Sequence, residues 1–272
     1  MITPDLIWVL LALISAGLFA GFVGGLFGVG GGTTIVPALY VVFEVLGLGG
    51  PYNLHVAIGT SLTIIIVTTG RSLLAHHAKG AVDFAILRRW APWVCVGAVL
   101  GAVLARLTPE AGLGLIYGGF SLMIAAILGL LPEGTQIRQS PPTGWGQKLI
   151  SVFIGGASAM MGVGGGAFGA TTLSLCGLPI HRAVGTATGF GLATAIPSAI
   201  LYIVINLDLT ETPPLTVGAV NLPAVVALAI CTVTTAPVGA RLAHSLPRSA
   251  LRRSFAIYMI LTAIVVFFTS RT

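Results

Sequence analysis

Long apolar stretches alternate with short polar ones along nearly the whole chain. Seven of these stretches are predicted to cross the membrane, and six of them approach the ~20 residues that a helix needs to cross a ~30 Å hydrocarbon layer. Three more are predicted to be too short to cross alone, and each lies beside a cluster of glycines. The pattern predicts an all-α polytopic membrane protein with eight to ten hydrophobic segments. The long stretches run roughly over Ile7–Phe27, Val56–Leu74, Trp90–Leu107, Leu113–Leu131, Ala183–Ile205, Val217–Val238 and Phe255–Phe268, and the short ones over Thr33–Leu46, Leu149–Met161 and Ala167–Leu178.

Composition supports a lipid environment. Hydrophobic residues make up 56% of the chain and charged residues only 7%, whereas a soluble domain is typically about 25% charged. The net charge of +6 is therefore assigned to loops that orient the protein in the bilayer, and we expect no nucleic-acid partner. The three cysteines show no metal-ligand spacing, and we expect neither a metal nor a cofactor.

The two halves of the chain carry the same motifs in the same order. A glycine cluster, a His-x-Ala-x-Gly-Thr motif and a Gly-Ala-x-Leu-Ala motif followed by proline each occur twice. Such self-similarity indicates two related units. We predict a first membrane repeat over residues 1–132, a cytoplasmic linker over 133–148 and a second membrane repeat over 149–272. The paired motifs begin at Gly28 and Gly162, at His55 and His181, and at Gly101 and Gly239.

The loop charges predict that the repeats are inverted. If four basic regions are cytoplasmic, they hold 11 of the 13 Lys and Arg residues. The loop after the His55 helix is basic, with Lys79 and Arg88, whereas the equivalent loop in the second half carries Asp208 and Glu211. Equivalent loops then face opposite sides, so each half crosses the membrane an odd number of times. Three full spans plus a broken hairpin and five spans both satisfy this condition.

The glycine clusters predict the binding site. Each glycine costs a helix interior about 1 kcal/mol relative to alanine, so each cluster breaks its helix. Unpaired backbone groups are tolerated at membrane depth only beside protein or a watery cavity, and inverted repeats commonly bind substrate where broken helices meet. A new helix starts after each cluster, and its N-terminus favours an anion. Close helix packing is the alternative explanation for these glycines. The candidate substrate-binding residues are Gly30, Gly31, Gly32, Thr33, Thr34, Gly59, Thr60, Ser61, Gly164, Gly165, Gly166, Ala167, Gly185, Thr186 and Thr188.

The motifs resemble those of the TauE/SafE sulfite-exporter family. The resemblance rests on the run from Gly24 to Pro37 and on His55-x-Ala57-x-Gly59-Thr60-Ser61, and it covers nearly the whole chain. The second half departs from this pattern, with Ala170 roughly at the position of Pro37 and Ala187 at that of Ser61. The resemblance implies transport of sulfite, sulfoacetate or another organosulfonate, by export or by import.

Four ionisable residues are candidates for proton or anion coupling: His55, His181, Arg71 and Glu44. Imidazole titrates near neutral pH, and a charge at mid-bilayer is costly enough to indicate function. The alternatives are a helix-start histidine with a satisfied hydrogen bond, an arginine that snorkels to the interface and an interfacial glutamate.

The leading functional prediction is a secondary transporter for a small sulfur-containing anion in a bacterial-type inner (plasma) membrane, as a multi-pass protein. A passive anion channel is the alternative. We expect no enzyme, because the sequence shows no alignable catalytic set. The expected partners are the lipid bilayer and a small anionic substrate (sulfite, sulfoacetate or another organosulfonate), with a homo-oligomer as a further possibility.

The predicted orientation is testable with reporter fusions. We expect both termini to be periplasmic, because the basic loops mark the cytoplasmic side. A fusion at Lys79 should report the cytoplasm, and a fusion at Thr210 should report the periplasm. Two fusions that report the same side would contradict inverted repeats.

Overall fold

A computed structural model describes residues 4–27, 31–48, 50–132, 135–204 and 212–270. Within these residues the chain forms ten α-helices and one two-stranded hairpin. The first half holds α1 (Pro4–Phe27), α2 (Gly32–Val45), α3 (Asn53–Ala78), α4 (Phe84–Leu107) and α5 (Glu110–Leu130). The second half holds α6 (Gly144–Met161), α7 (Gly166–Leu175), α8 (Ile180–Val204), β1 (Thr216–Val217), β2 (Val220–Asn221), α9 (Leu222–Ser245) and α10 (Arg248–Thr269).

Six helices in the described part are long and apolar enough to cross a membrane, which confirms the all-α polytopic fold. They are α3, α4, α5, α8, Leu222–Gly239 of α9 and Ser249–Thr269 of α10. Helices α3 and α8 are central, since 56% of each candidate span is buried, against 28–39% for the other four. The outer helices are therefore the ones that present apolar side chains to lipid.

Each half contains five helices, one of which is short. Helix α2 has 14 residues and α7 has 10, which correspond to about 21 and 15 Å of helix. Helix α6 begins at Gly144, so the end of the predicted linker is helical.

The start of α9 differs from the predicted apolar segment, which began at Val217. Residues 216–221 instead form the hairpin, with antiparallel pairs Thr216–Asn221 and Val217–Val220. Asn221 then caps α9 by accepting a hydrogen bond from the Ala224 amide at 3.0 Å, a usual role for asparagine at this position.

Helices α3 and α8 occupy equivalent places in the two halves and run antiparallel to each other. Gly59, near the start of α3, lies against Tyr202 near the end of α8. At the opposite end, Gly185 near the start of α8 lies against Ala81, just after α3. Antiparallel equivalent helices are the arrangement that inverted repeats require, while the orientation in the membrane stays a prediction.

The equivalent helices α5 and α10 are antiparallel as well. Gly114 in the first turns of α5 lies beside Ser270 at the end of α10. At the other end, the Arg252 guanidinium donates to the Ile127 carbonyl oxygen at 3.1 Å and also to that of Leu131. A cation at the carbonyl end of a helix is favoured by the helix dipole, so Arg252 stabilises the end of α5.

Glycine lets the halves approach closely along α4–α6 and α1–α9. A Cβ on Gly97 of α4 would overlap the Val152 carbonyl oxygen of α6, and a Cβ on Gly239 of α9 would overlap that of Phe22 in α1. Apolar side chains gain little by leaving lipid, so close backbone contact supplies the packing energy. Gly17 and Gly21 of α1 and Gly101 of α4 make close contacts of the same kind, with Cys231, Thr232 and Gly156.

Two further hydrogen bonds join the two halves. The Asn221 amide donates to the Thr60 hydroxyl of α3 at 2.9 Å, and the Asp83 amide donates to the Thr186 hydroxyl of α8, also at 2.9 Å. Thr60 and Thr186 are equivalent in the repeat, and Asn221 and Asp83 cap equivalent helices. The second contact is reinforced by an Asp83–Arg182 ion pair of 2.8 Å.

Candidate functional site

The first glycine cluster ends at the start of α2. Gly31 precedes the helix with φ of 82°, a left-handed conformation that glycine adopts without steric cost. Its carbonyl oxygen accepts from the amides of Thr34 at 2.9 Å and Ile35 at 2.8 Å. No side chain caps this end, and the first amides of a helix have no intrahelical acceptor. Of the predicted site residues here, Gly30 lies outside the described residues.

The second cluster joins α6 to α7. Gly162 ends α6 with φ of 66°, and Gly165 precedes α7 without a side-chain cap. The Gly169 amide donates to the Gly165 carbonyl oxygen at 2.9 Å and closes the first turn of α7. Gly166 and Ala167 therefore form the N-terminal turn of a short helix, as predicted.

The two clusters contact each other inside the protein. A Cβ on Gly32 would lie 2.9 Å from both the Gly162 carbonyl oxygen and the Val163 Cα. The Ser61 hydroxyl of α3 donates to the same Gly162 carbonyl at 2.8 Å. The sequence predicted that the clusters share one location, and the contact between Gly32 and Gly162 confirms this adjacency.

One apolar side chain stands between the two clusters. Ile65 of α3 places its Cδ1 atom 2.7 Å from the Cβ position of Gly32, and its Cγ2 atom 3.0 Å from that of Gly164. The repeat aligns Ile65 with Gly191 of α8, whose Cα lies 3.4 Å from the Gly164 Cβ position. The two halves therefore differ at this contact: the first contributes the large side chain of Ile65, and the second contributes Gly191, which has no side chain.

Two threonine hydroxyls remain available at this place. Thr34 is 1% exposed and Thr194 is fully buried, and neither hydroxyl makes a hydrogen bond of ordinary geometry among the described residues. The Thr34 hydroxyl faces Tyr258, and the Thr194 hydroxyl lies 2.8 Å from the Cβ position of Gly165. Buried polar groups normally have a partner, and these two hydroxyls lie beside the starts of α2 and α7.

Pro37 explains why two tyrosine hydroxyls point to a backbone carbonyl near the first cluster. It lies inside α2 and has no amide hydrogen, so the Thr33 carbonyl loses its usual donor. The hydroxyls of Tyr117 in α5 and Tyr258 in α10 lie 3.2 and 3.4 Å from that carbonyl oxygen and replace the missing bond. The first turn of α2 is thereby anchored to both halves of the protein.

Three further hydroxyls of the predicted site have structural partners. Thr60 and Thr186 accept the helix-start amides described above, and Thr188 donates to the Gly185 carbonyl of its own helix at 2.6 Å. Gly59 and Gly185 lie against the carbonyls of Ala219 and Ala81. These residues fix the helices around the clusters.

The four coupling candidates are spread over different environments. His55 is 3% exposed, and its Nε2 atom lies 3.1 Å from the Ala105 carbonyl oxygen and 3.2 Å from that of Thr108. His181 and Arg71 are exposed. Glu44 accepts from the Asn53 amide at 2.6 Å. The two histidines that match in sequence thus occupy unlike surroundings, so they cannot perform equivalent roles.

Sequence reasoning missed Tyr117, Tyr258, Thr194 and Glu110. Pro37 was the available signal for the tyrosines, because a proline inside a buried helix demands an outside donor for a carbonyl. Thr194 and Glu110 carried no such signal, since each acquires its neighbours only through tertiary packing.

The fold and the composition define a multi-pass α-helical membrane protein whose broken helices meet at its centre. The profile of the family described as sulfite exporter TauE/SafE matches residues 13–266. The chain belongs to this family.

Curated relatives cover nearly the full chain. A probable membrane transporter protein of Haemophilus influenzae is 30% identical over 96% of this chain and 98% of its own length. The probable membrane transporter protein MJ0441 of Methanocaldococcus jannaschii is 25% identical over 88% of each chain. YdhB of Bacillus subtilis, also named a probable membrane transporter protein, is 23% identical over 96% of this chain and 99% of its own length. No solved structure matches the chain.

The replacement of the Pro37 amide by tyrosine hydroxyls can be tested by a rescue experiment. The double variant Tyr117→Phe/Tyr258→Phe should lower the free energy of unfolding by about 1–3 kcal/mol, because the buried Thr33 carbonyl is left without a donor. Adding Pro37→Ala restores an amide hydrogen and should recover part of this loss. The measurement is thermal unfolding in detergent. An equal loss with and without Pro37→Ala would contradict the explanation.

Proposed function

We propose that the protein is a secondary transporter for a small sulfur-containing anion, sulfite or an organosulfonate, across the plasma membrane. Transport follows from membership of the family, and the family description supports a sulfur oxyanion. The anion binds where the N-terminal turns of α2 and α7 approach each other. The observation that carries this proposal is a pair of buried hydroxyls beside the two helix starts. Thr34 lies in the first turn of α2 and faces Tyr258, and Thr194, whose hydroxyl has no partner among the described residues, lies beside Gly165 at the start of α7.

The electrostatics of this location favour an anion. A helix N-terminus carries about half a positive charge and presents free amides, and Thr34 and Thr194 each add a donor. Among the described residues, the buried polar set contains no Lys or Arg. The anion would then be held by hydrogen bonds from amides and hydroxyls and not by an ion pair. Such binding suits a substrate that must also be released.

Ile65 supports a transporter in preference to a channel. Its side chain fills the space between Gly32 and Gly164, so an anion that contacts both helix starts requires Ile65 of α3 to move. A binding event coupled to movement of a packed helix is the behaviour of alternating access between repeats. The antiparallel pairs α3–α8 and α5–α10 agree with such repeats.

Hydroxyl removal tests the proposed site. Thr34→Val and Thr194→Val keep the side-chain volume but remove a donor, and each should weaken anion binding by about 0.5–3 kcal/mol. Thr232→Val is the matched control, because Thr232 is also buried but bonds to the Ala229 carbonyl of its own helix at 3.1 Å. The assay is organosulfonate or sulfite binding to purified protein, followed by transport in proteoliposomes.

Bulky substitutions test the helix starts themselves. Gly31→Leu strains a residue of positive φ, and Gly165→Leu would place its Cβ 2.8 Å from the Thr194 hydroxyl. Each should abolish transport per folded molecule. Wild-type affinity in both valine variants, together with unchanged rates in both leucine variants, would remove the clusters from the mechanism.

A further inference from the structure

A second polar cluster lies where the end of α2 and the starts of α3 and α5 meet. The Asn53 side-chain amide donates to Glu44 Oε1 at 2.6 Å, and the Leu54 backbone amide donates to Glu110 Oε1 at 3.3 Å. The Tyr40 hydroxyl of α2 lies beside the Glu110 carboxyl. Glu110 therefore binds the first turn of α3, with Glu44 close to the same turn.

Two oxygen atoms in this cluster are buried and accept no hydrogen bond of ordinary geometry among the described residues. One is Oδ1 of Asn53, which is 2% exposed and uses its side-chain nitrogen on Glu44. The other is Glu110 Oε2, although the Tyr40 hydroxyl and the Asn53 backbone amide lie beside this carboxyl. A buried charge needs a partner, yet the ion pair found in the described part of the chain is that of Arg182 with Asp83. A proton is the smallest species that supplies the missing charge and the missing donor together.

The other titratable groups near Glu110 do not supply a cation. Tyr40 and Glu44 face it from α2. His55 of α3 directs Nε2 to the carbonyls at the end of α4, and Tyr52, just before α3, packs its ring against His55. Arg106 in the last turn of α4 is exposed and has no ion pair among the described residues.

The cluster belongs to one half only. In the aligned repeat, Pro179 takes the place of Asn53, and Arg248 takes that of Glu110. The helix-start contacts of Thr60 and Thr186, in contrast, are conserved between the halves of this chain. A single cluster of this kind provides one ion site per molecule, whatever the symmetry of the surrounding helices.

We propose that Glu110, with Asn53 and Glu44, forms a proton-binding site that drives transport, which rests on the function proposed above. One proton passes from water to Glu110 Oε2, makes this atom a donor and neutralises the carboxylate. Neutralisation weakens the hydrogen bond from the Leu54 amide that fixes the start of α3. Helix α3 carries Ser61 and Ile65 to the glycine clusters, so its movement connects the proton site to the anion site.

Proton binding can be measured without substrate. In infrared difference spectra of purified protein, a protonated-carboxyl band should disappear as the pH is raised. Glu110→Gln should remove that band, and Glu133→Gln, which changes a carboxyl just after α5 in the sequence, should retain it. A titrating band that is unchanged in Glu110→Gln would overturn the assignment, and this result does not depend on the identity of the substrate.

A transport assay then distinguishes coupling to protons from movement of the anion itself. With the membrane potential clamped, one unit of pH gradient should support about tenfold accumulation of sulfoacetate if one proton moves with each anion. Glu110→Gln should lose this accumulation but keep substrate counterflow at equal pH, while Glu133→Gln keeps both. Retained accumulation in Glu110→Gln, or accumulation driven by a sodium gradient at equal pH, would overturn the proton proposal. Absence of counterflow in the wild type would instead contradict the proposed function.

Discussion

A break in a helix at membrane depth exposes backbone groups that lipid cannot satisfy, and this constraint organises the centre of the protein. The Gly162 carbonyl oxygen accepts a hydrogen bond from the Ser61 hydroxyl. The Thr33 carbonyl, which lacks its helical donor because of Pro37, accepts from two tyrosine hydroxyls. In α8, Pro197 deprives the Ala193 carbonyl of its amide partner, and the Cys95 thiol of α4 lies 3.1 Å away. Most of these partners come from the other half, so satisfying the backbone also joins the repeats.

Where the halves are alike, the contacts serve structure, and where they differ, the contacts suggest function. Thr60 and Thr186 make the same bond to equivalent helix starts. Ile65 opposes Gly191 between the clusters, and the Glu110 cluster has no equivalent in the aligned half. A fully symmetric molecule would have each of these features in duplicate, whereas this chain has them once.

Much of the fold could be predicted from the sequence because membrane helices are set by local features. Hydrophobic length and glycine clusters located the short helices to within a few residues: the predicted stretch Thr33–Leu46 is α2, Gly32–Val45. The hairpin before α9 was missed because each of its strands has only two residues, and Val217 and Val220 also fit the start of an apolar helix. The site was predicted only in outline. Gly32 and Gly162 meet as expected, but the available hydroxyl of Thr194 lies on another helix, and its position depends on how α8 packs against α7.

The central claim is that one anion contacts the helix starts that follow both glycine clusters. A structure of the protein with a bound organosulfonate tests this claim most directly. The account predicts ligand density within hydrogen-bonding distance of the α2 and α7 N-terminal turns and of the Thr34 and Thr194 hydroxyls, with Ile65 displaced from between Gly32 and Gly164. Ligand density more than one helix away from both clusters, with Ile65 still in place, would contradict it.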